Sequence, residues 1–261
     1  LISLLLNACG SSSNSSNETP PVEPKNYSTR LDSYEAKLQI PTNEQQSTYK
    51  VLMFGNSHLF GLSGIIKLLV SHTLPGKTIE IKIAPSTDYL AERLQHLPSL
   101  TLLLENDWTH LILQAQKYSQ SGAYDYPTTA AQTWIRMAKS KGITPILFPE
   151  HPQFGNTYEG ERVHDLHVSI AEEEASCIAP VGLTWDGVIN ISPQLNLHSS
   201  DGNHAAPLGS LLTALVIYQT VTGESADLIP YIEALDVDEE TQNLLGQIAS
   251  ETILSNPPCA Y

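Results

Sequence analysis

One serine stands where a nucleophile is expected in an α/β protein. Ser57 stands three positions after the apolar run 51–54, which predicts a buried strand, and precedes the apolar run 60–72, which predicts a helix. A serine at the carboxyl end of a parallel strand lies where open α/β sheets build their sites. Its N–H, close to a helix N-terminus, can point at an oxyanion. The alternative is a helix N-cap, because serine is favoured at that position in any helix.

A base and an acid follow near the C-terminus, in the run Asp201-Gly202-Asn203-His204. Positions i and i+3 are neighbours in a helical turn, so Asp201 can accept a hydrogen bond from Nδ1 of His204. That bond leaves Nε2 free to take the proton of Ser57. The alternative is a surface turn, since Asp, Gly and Asn are common turn formers. Taken together, the three residues predict Ser57 as nucleophile, His204 as general base and then acid, and Asp201 as its orienting partner.

These residues need elements to position them, and strand and helix patterns alternate along the chain. Short apolar strands separated by helices predict a parallel sheet covered on both faces, a three-layer α/β/α sandwich with five strands. The strand candidates are residues 51–54, 79–84, 110–114, 143–148 and 177–181, and the helix candidates are residues 60–72, 89–104, 128–141, 158–175 and 207–222. Acidic residues at 236–240 predict the start of a further, C-terminal helix.

Charge and composition exclude several functions. The net charge is −15, and none of the 13 Lys and Arg residues lies after Arg162. Nucleic acid is therefore not expected as a partner, because phosphate binding needs clustered basic side chains. The sequence has no Gly-rich phosphate loop and no Cys/His cluster of metal-ligand spacing, so we expect neither a cofactor nor a metal.

The N-terminus resembles the lipobox of bacterial lipoproteins. Leu6-Asn7-Ala8 precedes Cys9, the position that is lipidated in such proteins, and the apolar stretch before it is too short to span a bilayer. We therefore expect residues 1–8 to be a signal remnant, residues 9–35 a flexible tether, and residues 45–261 the folded domain. The expected location is the bacterial cell envelope, with the lipid on Cys9 as membrane anchor. The alternative is an apolar N-terminus with a chance cysteine.

Two further cysteines leave a question open. Cys177 and Cys259 could pair in an exported protein. Cys177 also lies in an apolar run, where a buried free thiol is common.

The motifs resemble those of the SGNH (GDSL-type) hydrolase family. The run 54–57, Phe-Gly-Asn-Ser, is similar to the first block, and the run 201–204 to the last block, Asp-x-x-His. Gln116, after the apolar run 111–113, stands where the family has its oxyanion-hole Asn, as in a branch with Leu-Gln-x-Gln there. The resemblance spans residues 50–223. It implies a flavodoxin-like fold, a serine esterase with the triad Ser57, His204 and Asp201, and Gln116 as oxyanion donor.

Two departures from the family concern the oxyanion hole. The second block of the family supplies a Gly, whereas residues 84–90 here contain none. The N–H of Thr87, or of its neighbour Ser86, is expected to take that role, although a positive φ is strained for these residues. Gln116 has a longer stem than Asn and loses more rotamer freedom when it donates. Losing one oxyanion donor costs about 100- to 1000-fold in rate.

The resemblance implies hydrolysis of acyl esters at the cell envelope, of small molecules or polysaccharides. O-acetylated glycans are the preferred substrate class, by analogy with the family. Two alternatives stay open. One is a non-catalytic glycan-binding lipoprotein with the same fold, and the other is a lysophospholipase or thioesterase, which needs a long apolar channel for its acyl chain.

Overall fold

A computed structural model describes residues 34–260, and within them five strands form one sheet. The strand order is β2-β1-β3-β4-β5, and every pairing is parallel. This is the flavodoxin-like order, so the predicted fold class is confirmed. The signal remnant, Cys9 and nearly all of the expected tether lie outside the described residues. The strands are β1 Thr48–Phe54, β2 Thr78–Ile83, β3 His110–Leu113, β4 Thr144–Leu147 and β5 Cys177–Ile178.

Eight α-helices connect and follow the described strands: α1 Leu62–Thr73, α2 Leu90–Arg93, α3 Leu97–Glu105, α4 Thr129–Ser140, α5 Glu159–Glu173, α6 Val181–Ile191, α7 Pro207–Thr222 and α8 Glu239–Ser255. The helix expected over 89–104 is divided into α2 and α3, because Pro98 is tolerated only in the first turn of a helix. Helix α6 was not predicted, since its apolar start continues the strand pattern of β5. No helix in the described part of the chain has the length and apolarity needed to cross a membrane.

The sheet separates two apolar cores, and β1 contributes to both. Tyr49, Val51 and Met53 face a core that includes buried residues of α1, α6, α7 and α8. Leu52 and Phe54 point to the opposite face, where they pack with residues of α2, α3, α4 and α5. Successive strand residues alternate between faces, so a strand buried on both sides is apolar throughout. This arrangement fixes the end of β1, and therefore Ser57, at the carboxyl edge of the sheet.

A disulfide joins Cys177 and Cys259. It answers the question that the sequence left open and ties the chain after α8 to β5. The N–H of Ile178 also donates to the carbonyl of Pro258 at 2.7 Å. The bridge closes a loop with a sequence separation of 82 residues, and bridges over loops of this size contribute about 2–5 kcal/mol to stability.

The folded unit begins before residue 45, the expected start of the domain. The N–H of Lys37 donates to the carboxylate of Glu174, which is fully buried and paired with Arg136 and Lys139. The Asn43 side chain donates to backbone carbonyls ahead of β3 and β4. Segment 37–44 therefore packs on the domain, and its polar anchors have no hydrophobic pattern by which sequence reasoning could find them.

Candidate active site

Ser57, His204 and Asp201 meet in one hydrogen-bonded line. Ser57 Oγ lies 2.8 Å from His204 Nε2, and His204 Nδ1 lies 2.6 Å from Asp201 Oδ2. Ser57 comes from the turn after β1, and the other two residues come from the loop between α6 and α7. Both distances are within reach for proton transfer from a serine to an oriented imidazole. The structure thus brings together the three residues that the sequence predicts as a triad.

The turn that carries His204 is organised by the carboxylate of Asp201. Its Oδ1 accepts from the Ser199 hydroxyl at 2.7 Å and from the N–H groups of Asn203 and His204 at 2.9 Å, which leaves Oδ2 for the imidazole. The Ser199 hydroxyl, followed by the N–H and imidazole of His204, lowers the pKa of Asp201. Because the carboxylate stays ionised, it holds the hydrogen of His204 on Nδ1 and leaves Nε2 as the acceptor.

The turn that carries Ser57 is fixed by a glycine and a glutamine. A Cβ on Gly55 would lie 2.4 Å from Gln114 Oε1, so a larger residue does not fit there. Gln114 Oε1 accepts from the N–H of Asn56 at 2.7 Å, and Asn56 Oδ1 caps the N–H of His58 at 3.1 Å. Ser57 starts a short 3₁₀ turn, whereas the N-cap of α1 is Gly61. The alternative role of Ser57 as a cap of that helix is therefore not the one the structure shows.

Of the three expected oxyanion donors, only Ser57 lines the cleft at the triad. Its N–H makes no hydrogen bond within residues 34–260. Gln116 is buried and directs its amide elsewhere, to the carbonyls of Lys117 at 2.9 Å and Pro127 at 3.2 Å. Both N–H groups of that amide are thus engaged, because the longer stem lets it fold back onto its own loop. Thr87 is exposed and lies outside the residues that line the cleft.

The turns after β2 and β3 have strained backbone. Ser86 has a φ of 74° and Ala115 a φ of 70°, which is the left-handed region that favours glycine. Ser86 belongs to the segment in which the family supplies a Gly. The fully buried guanidinium of Arg93 donates to the carbonyls of Gly55 and Ser86, both at 2.7 Å, and of Pro85 at 3.0 Å. Arg93 therefore joins the nucleophile turn to the strained turn, a role that sequence reasoning missed.

A carboxyl group also faces the cleft. Glu150 follows β4, its side chain is 16% exposed, and its Oε2 accepts from Gln114 Nε2 at 2.6 Å. His58 Nε2 lies 3.7 Å from the same oxygen. Burial raises the pKa of Glu150 to about 7, against the hydrogen bond from Gln114, which lowers it. Glu150 therefore changes its charge near neutral pH, next to the turn that holds Ser57.

Neutral histidines form the wall behind the triad. The ring of His58 stacks on His204 with centroids 5.4 Å apart, and His151 stacks on Trp185 at 3.9 Å. Burial is the main cause that lowers the pKa of His58 to about 4 and of His151 to about 3. These rings are uncharged at neutral pH and do not compete with His204 for protons. No three His, Cys, Asp or Glu residues between 34 and 260 are grouped to hold a metal ion.

The cleft at Ser57 has a volume of about 620 Å³ and a polar lining. Among residues 34–260, no aliphatic side chain lines it. The Lys117 ammonium lies over the rings of Tyr89 and Tyr126, 5.4 and 4.9 Å from their centroids. The lining residues are Asn56, Ser57, His58, Tyr89, Lys117, Tyr118, Ser119, Gln120, Ser121, Tyr126, Glu150, Asn203 and His204.

Comparison with known proteins supports the fold. No protein-family model matches the sequence, and no curated protein matches it. A DUF4886 family protein from Bacteroides uniformis is similar in structure, with a TM-score of 0.65, 15% identity, and coverage of 80% of this chain and 96% of the other. A protein from Slackia heliotrinireducens, provisionally named an SGNH hydrolase, superposes with a TM-score of 0.52, 20% identity, and coverage of 66% and 98%. The chain has the α/β fold of the SGNH hydrolases.

Proposed function

We propose that this protein is a serine ester hydrolase in which Ser57, His204 and Asp201 form the catalytic triad. The observation that carries the proposal is the 2.8 Å contact between Ser57 Oγ and His204 Nε2, with Nδ1 of the same ring held by Asp201. The fold of the SGNH hydrolases supports it, because members of that group hydrolyse esters with a serine from the first strand end.

The first half of the reaction acylates Ser57. Its Oγ attacks the ester carbonyl while His204 Nε2 takes the hydroxyl proton. The N–H of Ser57 is free to stabilise the resulting oxyanion, and the ionised Asp201 stabilises the imidazolium. The imidazolium then gives its proton to the departing alcohol. In the second half, water gives a proton to His204 and attacks the acyl group, and Ser57 leaves with a proton returned by the imidazolium.

The cleft favours a short acyl group on a polar alcohol. A lysophospholipase or thioesterase needs an apolar channel along its acyl chain, and no aliphatic side chain of the described part of the chain lines this cleft. Tyrosine rings, amides and hydroxyls instead suit a hydroxyl-rich partner. O-acetyl esters of saccharides are therefore the proposed substrate class. A rate series on p-nitrophenyl esters is expected to fall from acetate to octanoate, and a rise along that series would favour the long-chain alternative.

Turnover of p-nitrophenyl acetate tests the hydrolase against the non-catalytic glycan binder. Ser57→Ala is expected to lower kcat by at least about 10⁴-fold, because the nucleophile is removed. Ser71→Ala is a matched control, since Ser71 is an exposed serine of the neighbouring helix α1. Equal rates for wild type and Ser57→Ala would refute the hydrolase proposal.

The proposal extends to the location of the protein at the bacterial cell envelope. The lipobox-like run before Cys9 supports a lipid anchor, and the disulfide between Cys177 and Cys259 suits a protein that leaves the reducing cytosol. Mass spectrometry of the mature protein is expected to find a diacylated Cys9 at its N-terminus. Any other mature N-terminus would contradict the anchor.

A further inference from the structure

A second cavity adjoins the catalytic cleft. It has a volume of about 260 Å³ and shares Tyr118, Ser119 and Tyr126 with the lining of the cleft. The two spaces therefore lie on either side of one wall, the segment that follows β3. The lining residues of the second cavity are Tyr118, Ser119, Gly122, Tyr124, Asp125, Tyr126, Arg162, Val163 and Leu166. We call this space the tyrosine cavity.

The rings of the tyrosine cavity are held by polar contacts. The Tyr118 hydroxyl donates to Glu159 Oε1 at 3.1 Å, and the Arg162 guanidinium lies 6.0 Å from the centroid of the Tyr118 ring. Lys117 lies over Tyr126. Tyr124 is 73% exposed, so its ring is open to solvent.

The backbone of the same segment is also anchored. Arg162 donates to the carbonyls of Ser119 and Gln120, and the Gln116 amide donates to that of Pro127. A loop held at both ends keeps its aromatic rings in place, which reduces the entropy lost when a ligand binds. This explains why Gln116 is turned away from the triad: it supports the wall between the two spaces.

The chemistry of the lining selects for a sugar. A pyranose ring presents C–H groups on its faces, which pack on aromatic rings, and hydroxyls on its edge, which need hydrogen-bond partners. Three tyrosines offer the faces, and the Ser119 hydroxyl and Asp125 carboxylate offer partners for the edge. Val163 and Leu166 are the only aliphatic residues in the described lining, and the other large apolar surfaces are the tyrosine rings.

We infer that the tyrosine cavity is a saccharide-binding subsite, so that the alcohol part of the substrate is an oligosaccharide of at least two residues. The esterified sugar occupies the cleft at Ser57, and the next sugar reaches across Ser119 to stack on Tyr124. This inference rests on the proposed esterase function and adds the size and chemical class of the leaving group.

The test compares partially O-acetylated mono-, di- and trisaccharides of xylose, glucose and N-acetylglucosamine, with p-nitrophenyl acetate as a probe of the triad alone. Wild type is expected to gain roughly tenfold in kcat/KM from mono- to disaccharide in at least one series, as stacking on one further ring supplies. Tyr124→Ala is expected to remove that gain without changing p-nitrophenyl acetate turnover. The control is Tyr231→Ala, a half-exposed tyrosine outside the lining of both cavities.

Two outcomes overturn the subsite while leaving the esterase intact. One is the absence of any gain with chain length in all three series, and the other is a gain that Tyr124→Ala retains. Failure of the proposed function is separate, because it shows as no turnover of p-nitrophenyl acetate by wild type. In that case, calorimetric titration of Ser57→Ala with the same disaccharides decides whether the subsite exists. Binding that is weakened by adding Tyr124→Ala supports the subsite, and the absence of binding, or binding that Tyr124→Ala leaves unchanged, refutes it.

Discussion

The two halves of the candidate site are built in different ways. In the predicted triad, the Asn56 side chain accepts from the N–H of His58 beside Ser57, and Asp201 accepts from the N–H and the imidazole of His204, all within three residues in sequence. Gln114 and Arg93 add long-range bonds to the turn of Ser57. In the half that follows β2 and β3, the backbone at Ser86 and Ala115 is strained and is tied to other elements, with Arg93 as the main link. The first half depends on the identity of a few side chains. The second depends on backbone position, which several sequences can provide.

Of the variants that test this comparison, Asp201→Asn should have the largest effect on kcat. An Asn amide can donate to Nδ1 of His204 and so select the tautomer that has no acceptor for Ser57. We expect kcat for p-nitrophenyl acetate to fall by about 10³- to 10⁴-fold. Ser199→Ala, which removes one of the bonds to the same carboxylate, is the matched control and should cost far less. A loss under tenfold for Asp201→Asn would place the orienting role elsewhere.

Glu150 lies between the two halves and should make stability depend on pH. Its pKa is raised to about 7 in the fold, so ionisation costs stability as pH rises from about 4.5 towards 7. Glu150→Gln removes this cost and is expected to gain up to about 3 kcal/mol over wild type at pH 8, and much less at pH 4.5. Urea unfolding at the two pH values measures the difference in the free energy of unfolding between Glu150→Gln and wild type. An equal difference at both would show that the carboxyl titrates normally.

Arg93→Lys tests whether the guanidinium of Arg93, at the end of α2, holds the turn after β2 in position. Nη2 of Arg93 donates to the carbonyls of Gly55 and Ser86, and Nη1 donates to the carbonyl of Pro85. A single ammonium cannot reach all of these acceptors from two nitrogen positions, as the fork of a guanidinium does. We expect kcat to fall by about 10- to 100-fold with KM unchanged, less than the loss of a whole oxyanion donor. Arg136→Lys, at the buried ion pair with Glu174, is the control for a purely structural change. If kcat stays within threefold while only the melting temperature falls, Arg93 does not position the turns at Ser57 and Ser86 for the reaction.

A smaller effect, on stability, is expected for Ser86→Gly, which relieves backbone strain in the turn after β2. Glycine adopts the left-handed region without the clash of a Cβ, so the free energy of unfolding should rise by about 0.5–1 kcal/mol with kcat unchanged. Ser71→Gly, on the exposed face of α1, is the control at a position with helical backbone. There the same substitution should lower the free energy of unfolding by a similar amount. Destabilisation by Ser86→Gly would mean that the bond from the Asp88 N–H to the Ser86 hydroxyl matters more than the strain.

The smallest effect on kcat should follow Gln116→Met. This variant tests whether Gln116 is an oxyanion donor, as the family resemblance implies, or a support of its own loop, as its contacts indicate. Its amide donates to Lys117 and Pro127, so p-nitrophenyl acetate turnover should stay within about threefold of wild type. An oxyanion donor would instead cost about 100- to 1000-fold when removed. A loss of that size would show that the side chain turns into the cleft during the reaction.

The sequence by itself determined the layered α/β fold. Its motifs also indicated Ser57, His204 and Asp201, the residues that the structure joins by hydrogen bonds. The alternation of apolar strands and helices fixes the fold class, because burying both faces of a parallel sheet requires it. The blocks at Ser57 and Asp201–His204 are local in sequence, so their spacing indicates their geometry. The boundaries were less accurate, as the division of the helix over 89–104 and the missed helix α6 show.

Only the tertiary structure decided what depends on residues far apart. The pairing of Cys177 with Cys259 and the approach of Glu150 to Gln114 depend on how the β4 and β5 ends meet other elements. Gln116 illustrates the reason. The sequence places an amide donor at the right strand end, but a flexible side chain bonds to whichever carbonyl the folded loop presents. Local pattern therefore indicated the proposed nucleophile and its base, whereas long-range packing decided the surroundings in which they would act.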